Sequence, residues 1–136
     1  MATTPLQKLT AQQVSHAIIT AAMRVHSELG PGLLESTYQV CLQHELKKAG
    51  FRSETQVGLP VFYDGVQLDL GYRIDLLVED LVVVEPKSID AIAPIHQAQL
   101  LSYLKLSGKS LGLLINFNVV HLKDGIGRFV NGTNWQ

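Results

Sequence analysis

The 136-residue chain contains only one cysteine, Cys41, which excludes an internal disulfide and a zinc or iron–sulfur site built from cysteines. It also lacks a long hydrophobic run: the longest apolar stretches have the length of a strand, far below the roughly 20 residues that a membrane helix needs. Residues 1–10 show neither the basic start nor the apolar segment of a secretory signal peptide. We therefore expect a cytoplasmic protein that does not cross a membrane.

An excess of charge of one sign is missing too. The net charge is −1, so the chain as a whole is not an obvious polyanion binder. Hydrophobic residues make up 46% and charged residues 17%, which predicts one globular domain over residues 1–136. The part of the chain from Lys87 onward carries five basic residues against Asp90 and Asp124, and either a local basic face or scattered solvated lysines would explain this count.

Apolar residues recur at three- and four-residue steps in three segments, which predicts three helices. The first begins at Thr10-Ala-Gln-Gln13, which has the spacing of a capping box, and ends at Gly30-Pro31-Gly32. The second runs from about Leu33 to Ala49, and the third from Pro94 to about Leu106.

Other segments alternate with a period of two or are continuously apolar, which predicts strands. The dipeptide Asp64-Gly65 is typical of a two-residue hairpin turn. The predicted strands are Leu59–Tyr63, Val66–Tyr72, Tyr72–Val78, Leu81–Lys87 and Leu111–Asn116, with edge strands at Val119–Leu122 and Ile126–Val130. The order predicts a mixed α/β sandwich with one crossover helix.

Charged residues fall in two of these otherwise apolar strands. Asp75 and Glu85 can meet at one end of a hairpin, and Lys87 projects from the same face as Glu85. An unpaired charge in such strands is costly, and a metal ion or Lys87 would explain the carboxylates. Mg²⁺ prefers hard oxygen ligands, and the backbone carbonyl of Pro86 can add a third. A simple ion pair between Glu85 and Lys87 is the alternative.

Helical residues can complete such a site. Gln99 and Tyr103 are four residues apart and share a helix face, while Glu35 lies in the first turn of the second helix, three residues before Tyr38. Each also has an ordinary structural interpretation: Glu35 as a favourable helix-dipole charge, the tyrosines as half-buried core residues, and Gln99 as a solvated side chain.

Taken together, these residues resemble the PD-(D/E)XK nuclease superfamily. Asp75 matches its first acidic position, Glu85-Pro86-Lys87 its E-x-K element, and Gln99-Leu-Leu-Ser-Tyr103 the Q-x-x-x-Y motif of the RecB-like branch. Gly32-Leu-Leu-Glu35-Ser-Thr-Tyr38 matches the pattern that names the small bacterial GxxExxY proteins of that superfamily.

The resemblance implies a restriction-endonuclease-like αβββαβ core, with a mixed central sheet flanked by helices and an extra N-terminal helix. It also implies phosphodiester hydrolysis with Mg²⁺ or Mn²⁺. The family does not determine the substrate, and our first hypothesis is DNA, ahead of RNA. Asp75 and Glu85 would be metal ligands together with the Pro86 carbonyl, and Glu35 the helix carboxylate near the metals. Lys87 would be the catalytic lysine, with Gln99 and Tyr103 as the auxiliary pair.

Proline at position 86 departs from the aliphatic residue expected there. It keeps its carbonyl but loses the N–H that a central strand donates, which predicts either a bulge or an amide position that is unpaired anyway. A catalytically silent module that binds nucleic acid or protein is therefore the alternative to an enzyme. Association as a homodimer, or as a subunit of a larger assembly, would supply a wider groove.

Overall fold

The computed structural model of the protein describes residues 8–132 and 135–136. This part of the chain contains three α-helices: α1 (Ala11–Leu29), α2 (Glu35–Lys48) and α3 (Pro94–Ser107). The predicted capping box begins α1, since the Gln13 amide donates to the Thr10 hydroxyl oxygen (3.2 Å) and the Thr10 amide donates to the Gln13 side chain (3.0 Å). Within the described residues, none of these helices has both the length and the apolarity to cross a bilayer.

The helices flank one five-stranded sheet with the order β1-β4-β5-β6-β7. Its strands are β1 (Ser53–Gly58), β4 (Arg73–Val78), β5 (Val82–Lys87), β6 (Leu111–Asn116) and β7 (Ile126–Val130). Among the strand pairs of the described residues, only β5 and β6 run parallel, and α3 is the crossover between them. The series α2, β1, β4, β5, α3, β6 gives the predicted αβββαβ order, and α1 precedes it.

A separate two-stranded hairpin interrupts this series between β1 and β4. Its strands are β2 (Val61–Tyr63) and β3 (Val66–Leu68), joined by Asp64 (φ 54°) and Gly65 (φ 72°). Positive φ at both turn positions is the type I′ arrangement that matches the twist of the strands, so the turn prediction is confirmed.

The core forms two layers, one on each face of the sheet. Leu76, Val84 and Leu113 pack under α1 and α2, whereas Val83 and Leu114 pack under α3. The alternation along each strand therefore decides which helix a side chain meets. Residues of β5 with the parity of Val83, among them Glu85 and Lys87, face the α3 layer.

The structure differs from the strand predictions in three places. Ser53–Gly58 forms β1, which was not predicted because this edge strand is mostly polar and exposed. The strands predicted from Leu59 and from Val66 to Tyr72 are shortened to the hairpin β2–β3. Val119–Leu122 is not a strand: a 3₁₀ helix spans Leu122–Gly125, where Gly125 approaches the Asn116 carbonyl so closely that a Cβ would lie 2.2 Å from its oxygen.

Candidate active site

The two strand carboxylates lie side by side on the central strands. The register of β4 and β5 pairs Leu76 with Val84, and continuing it by one residue places Asp75 opposite Glu85. Glu85 is 4% exposed, and its Oε1 atom is buried without a hydrogen-bond partner. A buried carboxylate oxygen without a partner is costly, because water no longer solvates it.

The environment of Glu85 opposes its ionisation. The pKa of the Glu85 carboxyl is raised from 4.5 to about 8: burial raises it most, the neighbouring Asp75 carboxylate raises it too, and the Lys87 ammonium lowers it. The protein alone therefore supplies too little positive charge for two adjacent carboxylates, and a cation placed between them would relieve the repulsion.

Lys87 lies on the same side of the sheet as Glu85. Its Nζ atom is 4.0 Å from Glu85 Oε2, and the Lys87 side chain is mostly buried as well. The contact is at the outer limit of an ion pair, so it compensates only part of the charge at Glu85. An ammonium held here is available to a third group that enters the site.

Pro86 does not disturb the strand. Every residue of β5 from Val82 to Lys87 pairs with consecutive residues of β6, so no bulge is present on that side. The Phe117 amide donates to the Lys87 carbonyl (2.9 Å), and by alternation the backbone of Pro86 faces β4 instead. The β4–β5 ladder ends at Val84, before a donor at Pro86 would be required.

Helix α3 places Gln99 and Tyr103, the two residues of the Q-x-x-x-Y motif, next to each other. The Gln99 amide donates to the Tyr103 hydroxyl oxygen (3.2 Å), which leaves the Tyr103 proton for another acceptor. Burial raises the pKa of Tyr103, the Gln99 hydrogen bond lowers it, and the charges of Glu85 and Asp75 raise it again. The charges of both carboxylates therefore act on the Tyr103 hydroxyl.

Glu35 lies at the end of β5 but makes a different contact. Its side chain is exposed at the start of α2 and accepts a hydrogen bond from the Ser88 amide (3.3 Å), while the Ser88 hydroxyl donates to the Leu33 carbonyl (2.5 Å). Ser88 directly follows Lys87. Across residues 8–132 and 135–136, no group of three or more His, Cys, Asp or Glu side chains is arranged to hold a metal ion. Glu35 therefore does not join Asp75 and Glu85 in one cluster.

Tyr38 has a structural role in this region. Its hydroxyl donates to the Gly30 carbonyl (2.6 Å) and accepts from the Leu33 amide (3.1 Å), and its ring stacks on Phe117 at 4.5 Å. Tyr38 is fully buried, so the interpretation as a core tyrosine is the one that the structure supports. Tyr38 therefore holds the α1–α2 loop against Phe117, the residue that follows β6.

Asn116 is a residue that the sequence reasoning missed. It is buried, its side-chain oxygen accepts from the amides of Ile89 (3.1 Å) and Asn118 (3.2 Å), and its side-chain nitrogen donates to the Ile89 carbonyl (3.0 Å). Asn116 pairs in register with Lys87, so these bonds fix the loop that follows the lysine. The available signal was a polar residue that ends a buried strand parallel to β5.

The residues present fit a divalent cation. Asp75 and Glu85 offer two adjacent carboxylates, and the unpartnered Oε1 of Glu85 is the oxygen that a cation would satisfy. Two carboxylates with further positions left to water are the usual protein contribution to a Mg²⁺ site.

A comparison with protein families agrees with this geometry. Residues 12–129 match the family model of the PD-(D/E)XK nuclease superfamily, which confirms the restriction-endonuclease-like fold. Searches of curated proteins and of solved structures gave no match. The family match covers most of the chain, including both strand carboxylates and the α3 motif, and the chain therefore belongs to the PD-(D/E)XK nuclease superfamily.

Proposed function

We propose that the protein is a nuclease that hydrolyses phosphodiester bonds with Mg²⁺ or Mn²⁺. The observation that carries this proposal is the neighbouring pair of half-buried Asp75 and buried Glu85, with an unpartnered Glu85 oxygen and the Lys87 ammonium beside it. Membership of the superfamily supports the reaction class. The two carboxylates would bind the cation, and the Pro86 carbonyl would be a further ligand.

Each residue then has a distinct role. A bound divalent cation supplies Lewis-acid stabilisation of charge on the phosphate and lowers the pKa of a coordinated water. Lys87 holds a positive charge where the phosphate would enter, and it can orient the attacking water. Tyr103, whose oxygen already accepts from Gln99, can donate its proton to a phosphate oxygen. Glu35 acts at the edge of this site, through Ser88, on the position of the segment after Lys87.

Cleavage of labelled single- and double-stranded DNA and of RNA, with Mg²⁺, with Mn²⁺ and with EDTA, tests the proposal. We expect metal-dependent cleavage by the wild type and its loss in Asp75→Ala. Glu54→Gln is the matched control, because it removes an exposed carboxylate from the edge strand β1. Equal cleavage by the wild type and Asp75→Ala contradicts the assignment. DNA is the proposed substrate by analogy with the fold, and the RNA arm tests that choice.

The second candidate is a catalytically silent module that binds nucleic acid or protein. The observation in its favour is that Glu35 bonds to Ser88, and that no three-group metal cluster exists in residues 8–132 and 135–136. Calorimetric titration with Mn²⁺ separates the two. Binding that disappears in Glu85→Gln supports the enzyme, and nucleic-acid binding without metal binding or cleavage supports the silent module.

We also propose that the protein works as a homodimer or inside a larger assembly. A second copy of the chain, or a larger assembly, would supply a wider groove for nucleic acid beside the site. Light scattering over a range of concentrations tests this, and a constant monomer mass contradicts the homodimer.

A further inference from the structure

A cleft of about 440 Å³ lies next to the proposed site, between α3 and the hairpin β2–β3. The side chains that form it include Val61, Tyr72, Ile95, His96, Gln99 and Tyr103. Among the described residues that line it, none is a lysine, arginine, aspartate or glutamate. Its walls are therefore apolar and aromatic, with a few neutral polar groups, which is the usual composition of a ligand site.

This cleft lies near the strand carboxylates, because the charges of Asp75 and Glu85 act on Tyr103, which lines it. Gln99 and Tyr103 belong to both the cleft and the proposed site. The Tyr72 ring meets the Tyr103 ring edge to face, with centroids 6.3 Å apart and an interplanar angle of 72°. A group held against Tyr72 would thus be a near neighbour of a phosphate at the carboxylates.

Large apolar side chains around the cleft are exposed rather than packed into the core. Tyr72 is 45% exposed and Ile95 is 72% exposed. In the hairpin, Tyr63 shares a face with Val61 by alternation and pairs with Val66, and Tyr63 is 74% exposed. A cluster of exposed apolar residues of this kind marks an interaction site.

The polar groups of the cleft suit the edge of a nucleobase. The Ala93 amide donates to His96 Nδ1 (2.9 Å), so the ring proton resides on Nε2, which can donate. The Gln99 amide nitrogen donates to Tyr103, which leaves its carbonyl oxygen as an acceptor. A phosphate would call for lysine or arginine, and neither lines this cleft.

We propose that this cleft binds an unpaired nucleobase stacked on Tyr72, and hence that the substrate is a single-stranded segment of nucleic acid. The inference rests on the proposed nuclease function, since the adjacent carboxylates would act on the phosphate of the same strand. Inside a duplex, both faces of a base are covered by its stacked neighbours, whereas an unpaired base can offer a face to a tyrosine ring.

Fluorescence anisotropy in Ca²⁺ tests the cleft with three probes: a single-stranded oligonucleotide, an equally long oligomer of abasic nucleotides, and the matching paired duplex. We expect the single strand to bind about ten-fold more tightly than either of the others, as one stacked base provides. Tyr72→Ala and Ile95→Ala should lose this difference. Tyr72→Phe, which keeps the ring, and Val40→Ala, which changes an exposed residue of α2 in the opposite layer, should retain it.

Equal binding of the abasic and normal strands, or an unchanged preference in both Tyr72→Ala and Ile95→Ala, overturns the base-binding cleft. Cleavage of the duplex by the wild type in Mg²⁺ or Mn²⁺ would then leave the nuclease proposal standing. Binding that depends on the bases, without cleavage of any probe, supports the base-binding cleft and contradicts the nuclease proposal. Sedimentation of the same samples tests whether the cleft is instead a contact between two copies of the chain. A dimer that Tyr72→Ala dissociates, with unchanged oligonucleotide binding, would also overturn the proposal.

Discussion

Replacing Glu85 with glutamine should make the metal-free protein more stable while abolishing its activity. Glutamine keeps the shape of the side chain but cannot ionise, so it removes the buried charge beside Asp75. The pKa of Glu85 is raised in the folded protein from 4.5 to about 8, chiefly by burial. The stability that this group contributes is therefore fully present below pH 4.5 and is lost as the pH rises through about 8.

The size of the effect follows from the same shift. Between the two pKa values, the free energy of unfolding of the wild type should fall by at most about 1.4 kcal/mol per pH unit, or roughly 3 kcal/mol by pH 7. Urea unfolding in EDTA across this range measures it. Glu85→Gln should lack that slope and exceed the wild type in stability at pH 8, whereas Glu54→Gln should behave as the wild type.

Addition of Mg²⁺ at pH 8 provides the second half of the test. The ion should stabilise the wild type, since it binds the folded carboxylates and not the unfolded chain, and it should leave Glu85→Gln unchanged. If the free energy of unfolding in EDTA depends on pH in the same way for the wild type and Glu85→Gln, the reasoning is refuted, because Glu85 is then not the group that titrates.

Three further substitutions test neighbouring parts of the site. Lys87→Met should reduce cleavage by ~100-fold while Mn²⁺ binding persists in calorimetry, because the lysine acts on the substrate and not as a ligand; loss of metal binding instead would contradict this. Asn116→Ala should lower the free energy of unfolding by about 2 kcal/mol in urea titrations, since it removes the acceptor of the Ile89 and Asn118 amides and one of the two donors to the Ile89 carbonyl, and a neutral effect would show that the loop is held by other contacts. Tyr38→Phe should lower stability by about 1 kcal/mol in the same assay, because it keeps the ring stacked on Phe117 but loses two hydrogen bonds to the α1–α2 loop; an unchanged midpoint would contradict that role.

The local features of the fold could be predicted from the sequence because they depend on neighbouring residues. The capping box at Thr10, the end of α1 at Gly30 and the turn at Asp64-Gly65 are each determined within a few residues. The polar edge strand β1 could not be predicted, because its pairing with β4 rather than its own pattern makes it a strand.

The pairing of the two strand carboxylates could be predicted for a similar reason. Asp75 and Glu85 are brought together by one hairpin, so their adjacency follows from two apolar runs and a short turn. The roles of Glu35 and Asn116 were not accessible, because their partners Ser88 and Ile89 lie 53 and 27 residues away in the chain. Contacts of this kind depend on how α2 and β6 pack around the end of β5.

The central claim is that Asp75 and Glu85 hold one divalent cation for hydrolysis of a phosphodiester. A crystal of the protein soaked in Mn²⁺ and measured for anomalous scattering tests this most directly. The account predicts a single strong peak between the two carboxylates and next to the Pro86 carbonyl, absent from crystals of Glu85→Gln. A peak elsewhere, or none in the wild type at saturating Mn²⁺, would contradict it.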